Sequence, residues 1–421
     1  MTDYRSGEAF ALEMDTKDPL RVYREKFHLP KSSTGKEIIY FVGNSLGLQP
    51  IDVMDYIQEE MEEWKTAGAG GHHGGKRPWG LYETTLTRQT AQLVGAKPSE
   101  VVVMNSLTVN LHLLMVSFYR PTKERYKIMV EAKAFPSDQY AVASQLSFHG
   151  YNPVDGIVQL EPRNGEAAIR SEDILQTIEK EGKSINLILI GGINYYSGQF
   201  FDIKEITRSG HDQGCMVGFD LAHAAGNVPL ELHNWDVDFA AWCNYKYINA
   251  GPGSVASVFV NEKHANREDL PRFAGWWGHT RETRFDMPSK FVPIPGAEGW
   301  QISNTNVFSA TPLLPSLELF DEVGMTALRE KSIKLTGYLE YLLDQINSEA
   351  FTVVTPREPE QRGCQLSLRF ESDGDKIHKY LTEKNVMCDY REPGVIRVAP
   401  APFYNSFSEV YRFVEILKEL L

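Results

Sequence analysis

Residues 215–246 read CMVGFDLAHAAGNVPLELHNWDVDFAAWCNYK. Two apolar runs, CMVGFD (215–220) and DFAAWC (238–243), flank a stretch broken by Gly226, Asn227 and Pro229. Each run is too short for a helix and is bounded by turn formers, which predicts two buried strands. Asp220 closes the first strand, and Lys246 follows the second, between Tyr245 and Tyr247. A carboxylate at the end of a buried strand is costly to desolvate unless a cation or several donors meet it. Chemistry is therefore to be sought at these strand ends.

Outward from this stretch, VVVMN (101–105), YKIMVEA (126–132), INLILI (185–190) and SVASVFV (254–260) read as further strands. LTVNLHLLMVSFY (107–119), SDQYAVASQLSFHG (137–150), SEDILQTIEKEG (171–182) and IKEITRSGHDQG (203–214) carry helical patterns between them. The alternation predicts an α/β fold: a mostly parallel sheet sandwiched by helices, with ligands gathered beyond the strand C-terminal ends. Residues 265–310, rich in Gly, Pro and aromatics, suit a long functional loop region. One unbroken helical pattern then spans 316–346, followed by strand-like 351–355, 364–370 and 395–400 and by helices over 375–385 and 406–421. The expected division is a large α/β domain at 51–315 and a small α+β domain at 316–421, which residues 1–50 join.

A chain of 421 residues with 42% hydrophobic content has enough apolar material for two such units. Its net charge of -13 supplies no basic stripe for a phosphate backbone, which argues against nucleic acid as a partner. The start, MTDYRSGEAFALEMDTKDPL, lacks the layout of a secretory signal, and no apolar run is long enough to cross a bilayer. No membrane partner is expected, and a cytoplasmic location is. Cys215, Cys243, Cys364 and Cys388 show no metal-ligand spacing, so they read as buried reduced thiols and no metal site is expected.

Asp220 and Lys246 together suit an aldehyde cofactor with a pyridine ring. The aspartate would keep the ring nitrogen protonated and electron-withdrawing. Burial would favour the neutral lysine amine that condenses with an aldehyde. The plainer alternative is a snorkelling lysine with its head in water. Leu107 and Thr108 open a helix directly after a strand, a position that favours an anion such as a phosphate. An ordinary Ser/Thr cap would leave the same trace. Phe135 could stack on a flat cofactor with Asp138 beside it, or could simply pack in a turn before Pro136. All four segments fall at predicted strand ends of one sheet.

These segments resemble the fold-type I pyridoxal-5'-phosphate enzymes of the class V aminotransferase superfamily, and among them the kynureninase family. The resemblance runs through FVGNSLGLQP (41–50), GKRPW (75–79), SLTVNLHLLM (106–115), EAKAFPSD (131–138), GFDLAHAAGNVPLELHNW (218–235), CNYKYINAGPG (243–253), GWWGH (275–279), GWQISN (299–304), VIRVAP (395–400) and YNSF (404–407). It implies Lys246 as the lysine holding the cofactor aldehyde, Asp220 on the pyridine nitrogen and His223 close to the ring. It further implies Leu107, Thr108 and Tyr245 at the phosphate, Phe135 stacked on the ring with Asp138 beside it, and Trp276 and Asn304 at the cofactor and substrate edge. Arg397 matches the arginine that grips the substrate α-carboxylate. Trp277 adjoins Trp276, and the match is read on Trp276. Gly191 stands where some members carry a serine, so one polar cofactor contact differs here.

The implied reaction is hydrolysis of L-kynurenine or 3-hydroxy-L-kynurenine to anthranilate or 3-hydroxyanthranilate plus L-alanine, in tryptophan degradation or NAD biosynthesis. Lys246, Tyr245 and Asp220 would be its catalytic residues, with Tyr245 as a proton donor to the substrate β-carbon. His72 and Asn304 match members favouring the 3-hydroxylated substrate, although His72 also suits a glycine-rich surface loop. The resemblance also implies a homodimer whose sites borrow residues across the interface. Two rival expectations are a cysteine desulfurase or lyase, which would need a reactive thiol such as Cys364, and a non-catalytic scaffold of the same fold.

Overall fold

Residues 3–267 and 269–421 are described in a computed structural model. Among them thirteen strands form three sheets. The strands are β1 (Ile39–Tyr40), β2 (Val101–Val103), β3 (Lys127–Glu131), β4 (Ile157–Leu160), β5 (Ile185–Gly191), β6 (Met216–Asp220), β7 (Phe239–Cys243), β8 (Ala256–Val260), β9 (Phe351–Val353), β10 (Leu366–Phe370), β11 (Val386–Met387), β12 (Asp389–Arg391) and β13 (Val395–Val398).

The large sheet has the order β2-β8-β7-β6-β5-β3-β4. Its pairs from β7 through β4 are parallel, while β8 runs against both neighbours. The exception has a local cause: residues 244–255 join β7 to β8 without a crossover helix, and such a connection returns the chain antiparallel. That same connection carries Lys246. Every residue of β5 is buried, as a central strand covered on both faces requires.

Asp238 enters β7 fully buried and ties the sheet's centre together. It accepts hydrogen bonds from His211 Nε2 (2.9 Å), His264 Nε2 (2.8 Å) and the Val217 amide (2.7 Å), and pairs with Lys263 Nζ at 2.9 Å. Burial alone would raise its carboxyl, but these partners outweigh that and hold it far below the usual carboxylate range. The strands that present Asp220 and Lys246 are braced by this one ionised group.

The second sheet, β12-β13-β10-β9, is antiparallel throughout. Its apolar face joins Leu368 and Ile396 to Leu335, Leu339, Val410 and Phe413 from two helices, and to Phe10 and Phe41 from the N-terminal segment. Leu20, Phe27 and Leu48 instead pack into the cluster beneath the large sheet, so residues before 51 feed both cores. β1 pairs with β11 in parallel, Ile39 beside Val386.

Two expectations change. The helical pattern over 316–346 is not continuous: helices Leu313–Val323 and Met325–Asp344 meet at Gly324, whose φ of 78° ends one and starts the other. Strands β4 and β12 had no clear sequence signal. IVQL is a short edge strand with exposed Gln159, and DYR is polar and only half-buried. No helix among the described residues is long and apolar enough to cross a membrane.

Candidate active site

Parallel pairing aligns the C-terminal ends of β3, β5, β6 and β7. Register sets Gly191 beside Asp220 and Asp220 beside Ala241, so Glu131, Gly191, Asp220 and the turn after Cys243 open onto one place. A cavity of about 310 Å³ lies there, on the scale of a small-ligand site. Leu107, Thr108, Phe135, Asp138, Asp220, His223, Tyr245, Lys246 and Arg397 all line it.

The lysine turn is built by its neighbours. The Asn249 amide donates to the Lys246 carbonyl at 2.9 Å, with Asn249 in the left-handed region at φ 59°. Asn244 Nδ2 reaches across to the Val255 carbonyl at 2.8 Å and closes the base of the loop. The segment 41–50 lies directly on this turn: the Gly47 amide donates to the Tyr245 carbonyl at 2.8 Å. A β-carbon at Gly47 would meet the Lys246 carbonyl at 2.3 Å, which requires glycine at that position.

Lys246 is half-buried among polar groups, not sunk in the apolar surroundings its sequence suggests. Its Nζ lies 3.0 Å from His223 Nε2 and 5.8 Å from the centre of the Phe135 ring. Burial, then the charges of Lys246, Arg397 and Arg391, hold His223 well below the ordinary histidine range. The imidazole is therefore neutral, with Nε2 facing the lysine nitrogen. Its other nitrogen, Nδ1, is buried with no hydrogen-bond partner among the described residues.

Asp220 accepts the Ala222 amide at 2.7 Å. Burial raises its carboxyl, against the pull of that amide and of Lys246. Asp138 is raised well above the carboxylate range by burial and by the adjacent Asp220 charge, and its Oδ1 has no partner among the described residues. Neighbouring buried carboxyls do not both ionise readily, and the stronger push on Asp138 favours the proton on its side of the pair. The helix Leu107–Phe118 begins at Ser106 without a side-chain cap, which leaves its first-turn N–H groups for another acceptor. Phe135 stands edge-on to Tyr195 at 5.4 Å. Tyr245 is half-buried, and burial, then the Cys243 thiol, push its hydroxyl above the ordinary tyrosine range.

These features fit pyridoxal phosphate: an uncapped helix start for the phosphate, an aspartate for the ring nitrogen, a ring wall, and a lysine in a cavity with orphaned buried polar atoms. Arg397, 1% exposed, completes the far wall. It donates to the Tyr195 carbonyl at 2.7 Å and to Asp389.

His72, Trp276 and Asn304 do not line this cavity. His72 sits in the 3-10 turn Gly68–His72 with its ring edge-on to Trp79 at 5.4 Å. Trp276 is 47% exposed, its Nε1 donating to the Arg284 carbonyl, whereas Trp277 is buried against the Arg284 guanidinium. Asn304 is exposed. His73 and Trp276 both pack on Phe285, which puts the His72 turn and Trp276 side by side.

Sequence reasoning missed Glu131, Asn44, Ser45, Tyr195 and Arg391, all of which line the cavity. Glu131 carried the signal that found Asp220, a carboxylate closing a buried strand. Arg391 carried none.

Residues 328–417 match the family described as the kynureninase C-terminal domain. A kynureninase of Koribacter versatilis is 57% identical over 412 residues, covering 98% of this chain and 97% of that protein. One of Myxococcus xanthus is 55% identical, covering 99% and 97%. Among solved structures, an apo cysteine desulfurase from Thermococcus onnurineus matches with a TM-score of 0.73 at 17% identity, covering 100% of this chain and 99% of that one, a likeness of fold.

Proposed function

The chain belongs to the kynureninase family, and on that premise we propose how its residues divide the work of the reaction. It is a hydrolase that cleaves kynurenine, with pyridoxal 5'-phosphate as its cofactor. The observation that carries the reading is the meeting of Lys246, Asp220, the helix start at Leu107 and Arg397 in one cavity.

When bound, pyridoxal phosphate supplies an aldehyde and an electron-withdrawing ring that takes up the electron pair released at the substrate α-carbon. Asp220 would hold the proton on the ring nitrogen. Leu107, Thr108 and Tyr245 would hold the phosphate, Phe135 would stack on the ring, and His223 would lie close to it. Arg397 grips the substrate α-carboxylate and so presents the α-hydrogen to Lys246. The Lys246 amine removes that proton and returns it, with neutral His223 accepting its hydrogen bond in between. Water adds to the aryl ketone of the substrate, and the bond between its β and γ carbons breaks. Tyr245, held protonated by its surroundings, gives its hydroxyl proton to the β-carbon and regains one from the carboxylic acid that the cleavage releases. L-Alanine and anthranilate, or its 3-hydroxy form, leave.

We infer a homodimer. Trp64, Phe308, Trp276, Phe285 and Met287 are large apolar side chains left exposed, more than scattered surface residues account for. A second copy seated there would bring His72, Trp276 and Asn304 to its partner's cavity, where a single chain does not put them. Sedimentation velocity should give a species of twice the chain mass, and a monomer in the active protein would end this reading. The division into domains at 51–315 and 316–421, and a cytoplasmic location, belong to the same proposal. Fractionation of the source cells tests the location, and limited proteolysis the boundary.

His72 and Asn304 favour 3-hydroxykynurenine as the better substrate, since both can hydrogen-bond a ring hydroxyl. Product analysis with both substrates side by side tests the reaction and the preference together. His72→Ala should lower kcat/KM for the hydroxylated substrate by about 10- to 100-fold and leave plain kynurenine nearly unchanged. Equal losses for both would remove the assignment.

The cysteine desulfurase reading has the fold in its favour but lacks an exposed thiol. All four cysteines are buried, and burial pushes Cys364 up to about 12, the opposite of an activated thiolate.

A further inference from the structure

Glu131 lines the cavity from the end of β3 and is 3% exposed. Its two carboxyl oxygens accept the Gly191 amide at 3.2 and 3.1 Å, and a β-carbon on residue 191 would meet Oε1 at 2.8 Å. The carboxyl thus occupies the space that a serine at 191 would need. It is the third acid of this cavity, after Asp138 on the helix Pro136–Phe148 and Asp220 on β6.

The charged and titratable groups sharing the cavity with it are Asp138, Asp220, His223, Lys246, Tyr195, Tyr245, and Arg391 and Arg397, which both bind Asp389. Asp220 faces it from β6 and Asp138 from the helix. Lys246 and His223 lie across the cavity, and β5 offers only the Gly191 amide. Asp389 takes up one of the two guanidinium charges, so the positive charge left at the cavity is outnumbered by three buried carboxyls, and protons must be shared among them.

We propose that Glu131 is the charge-balancing acid of the ring cradle: it holds a proton until a cationic ring nitrogen pairs with Asp220, and then releases it to solvent. The proposal rests on the reading of this cavity as the pyridoxal phosphate site. In the release, the O–H bond of the carboxyl breaks, its electron pair stays on oxygen, and the resulting carboxylate keeps the Gly191 N–H. The physical drive is the loss of repulsion. Burial, with a smaller push from the Asp220 charge, raises Glu131 to about 7 against its backbone hydrogen bonds, that from Gly191 included. A cation on Asp220 removes the Asp220 contribution. Because the occupied cavity then binds fewer protons than the empty one, cofactor affinity rises with pH across the range in which Glu131 titrates. Glu131 acts through Asp220 and is a positioning residue, not a catalytic one.

The test is calorimetric titration of the cofactor-depleted full chain at pH 7 in two buffers of different ionisation heat, which counts protons exchanged. The probe is 4-deoxypyridoxine 5'-phosphate, whose ring lacks the aldehyde, so that lysine chemistry does not enter the count. Wild type should release more protons than Glu131→Gln, by a fraction that reaches at most about half a proton for a group half-protonated at the working pH. The rise of affinity between pH 6 and 8 should flatten in the variant. Should the variant fold poorly, infrared difference spectra of wild type carrying carbon-13 glutamate provide the same answer: a protonated glutamate band should vanish on binding. Equal proton counts, or no loss of that band, overturn the role of Glu131 while leaving the cofactor site intact. A probe that fails to bind at all overturns both.

Discussion

Lys246→Ala should lower kcat by about 10⁴-fold, the upper range for a positioned general base, because the residue also carries the cofactor's covalent attachment. No neighbour can replace it. Among the cavity's side chains Arg397 and Arg391 are the other cations, and Arg397 is committed to Asp389 and the Tyr195 carbonyl. A guanidinium this basic does not yield a free amine. His223, 3.0 Å from Nζ, is near enough to move a proton but cannot form the same bond to an aldehyde that an amine forms. Folding should be unaffected, since Lys246 is half-buried and the turn is held by Asn244 and Asn249. The measurement is steady-state turnover together with mass spectrometry after borohydride reduction. Wild type should carry the reduced cofactor on Lys246, and the variant should carry none. An adduct on any other residue would remove the assignment of the whole cavity.

The site was legible in sequence wherever one residue's chemistry conflicted with its own local surroundings. Asp220 at the end of an apolar strand and Lys246 in a turn after another are conflicts of that kind. They became a pair only because parallel register brings β6 and β7 side by side, which a strand list does not state. Glu131 showed the same conflict, but it reads only as part of the strand YKIMVEA, and the proximity of Gly191 depends on β3 and β5 pairing. The antiparallel β8 was hidden because periodicity carries no direction. The break at Gly324 was hidden because a single glycine inside a helical pattern is usually tolerated. His72, Trp276 and Asn304 pose a different problem. Their segments are Gly-rich or aromatic loops with no period, and one chain does not bring them to the cavity.

The next largest effect is expected at Arg397. Arg397→Lys should raise KM for kynurenine by about 30- to 100-fold with a smaller fall in kcat, the equivalent of losing about 2 to 3 kcal/mol of charge-assisted hydrogen bonding. The pattern follows from how the guanidinium is held. Arg397 on β13 stands opposite Asp389 on β12 in the antiparallel register. Asp389 Oδ2 accepts from Arg397, from Arg391 Nη2 at 3.0 Å and from Ser45 Oγ at 2.8 Å. Its partners come from two strands of the small sheet and from the segment lying on the lysine turn. One carboxylate between two guanidiniums leaves a net positive charge at this wall, and Arg397 Nε has no partner among the described residues. The site therefore retains both charge and a free donor for an incoming carboxylate. A lysine would keep the charge but could not hold Asp389 and Tyr195 while presenting a third donor in the same plane. Asp389→Asn should act in the same direction, because it loosens the fork without removing it, and its rise in KM should be the smaller of the two. Inhibition by L-alanine, which shares only the amino-acid end of the substrate, should weaken in parallel in both variants. Unchanged L-alanine inhibition in Arg397→Lys would mean that the α-carboxylate is held elsewhere, with Arg391 the first residue to test.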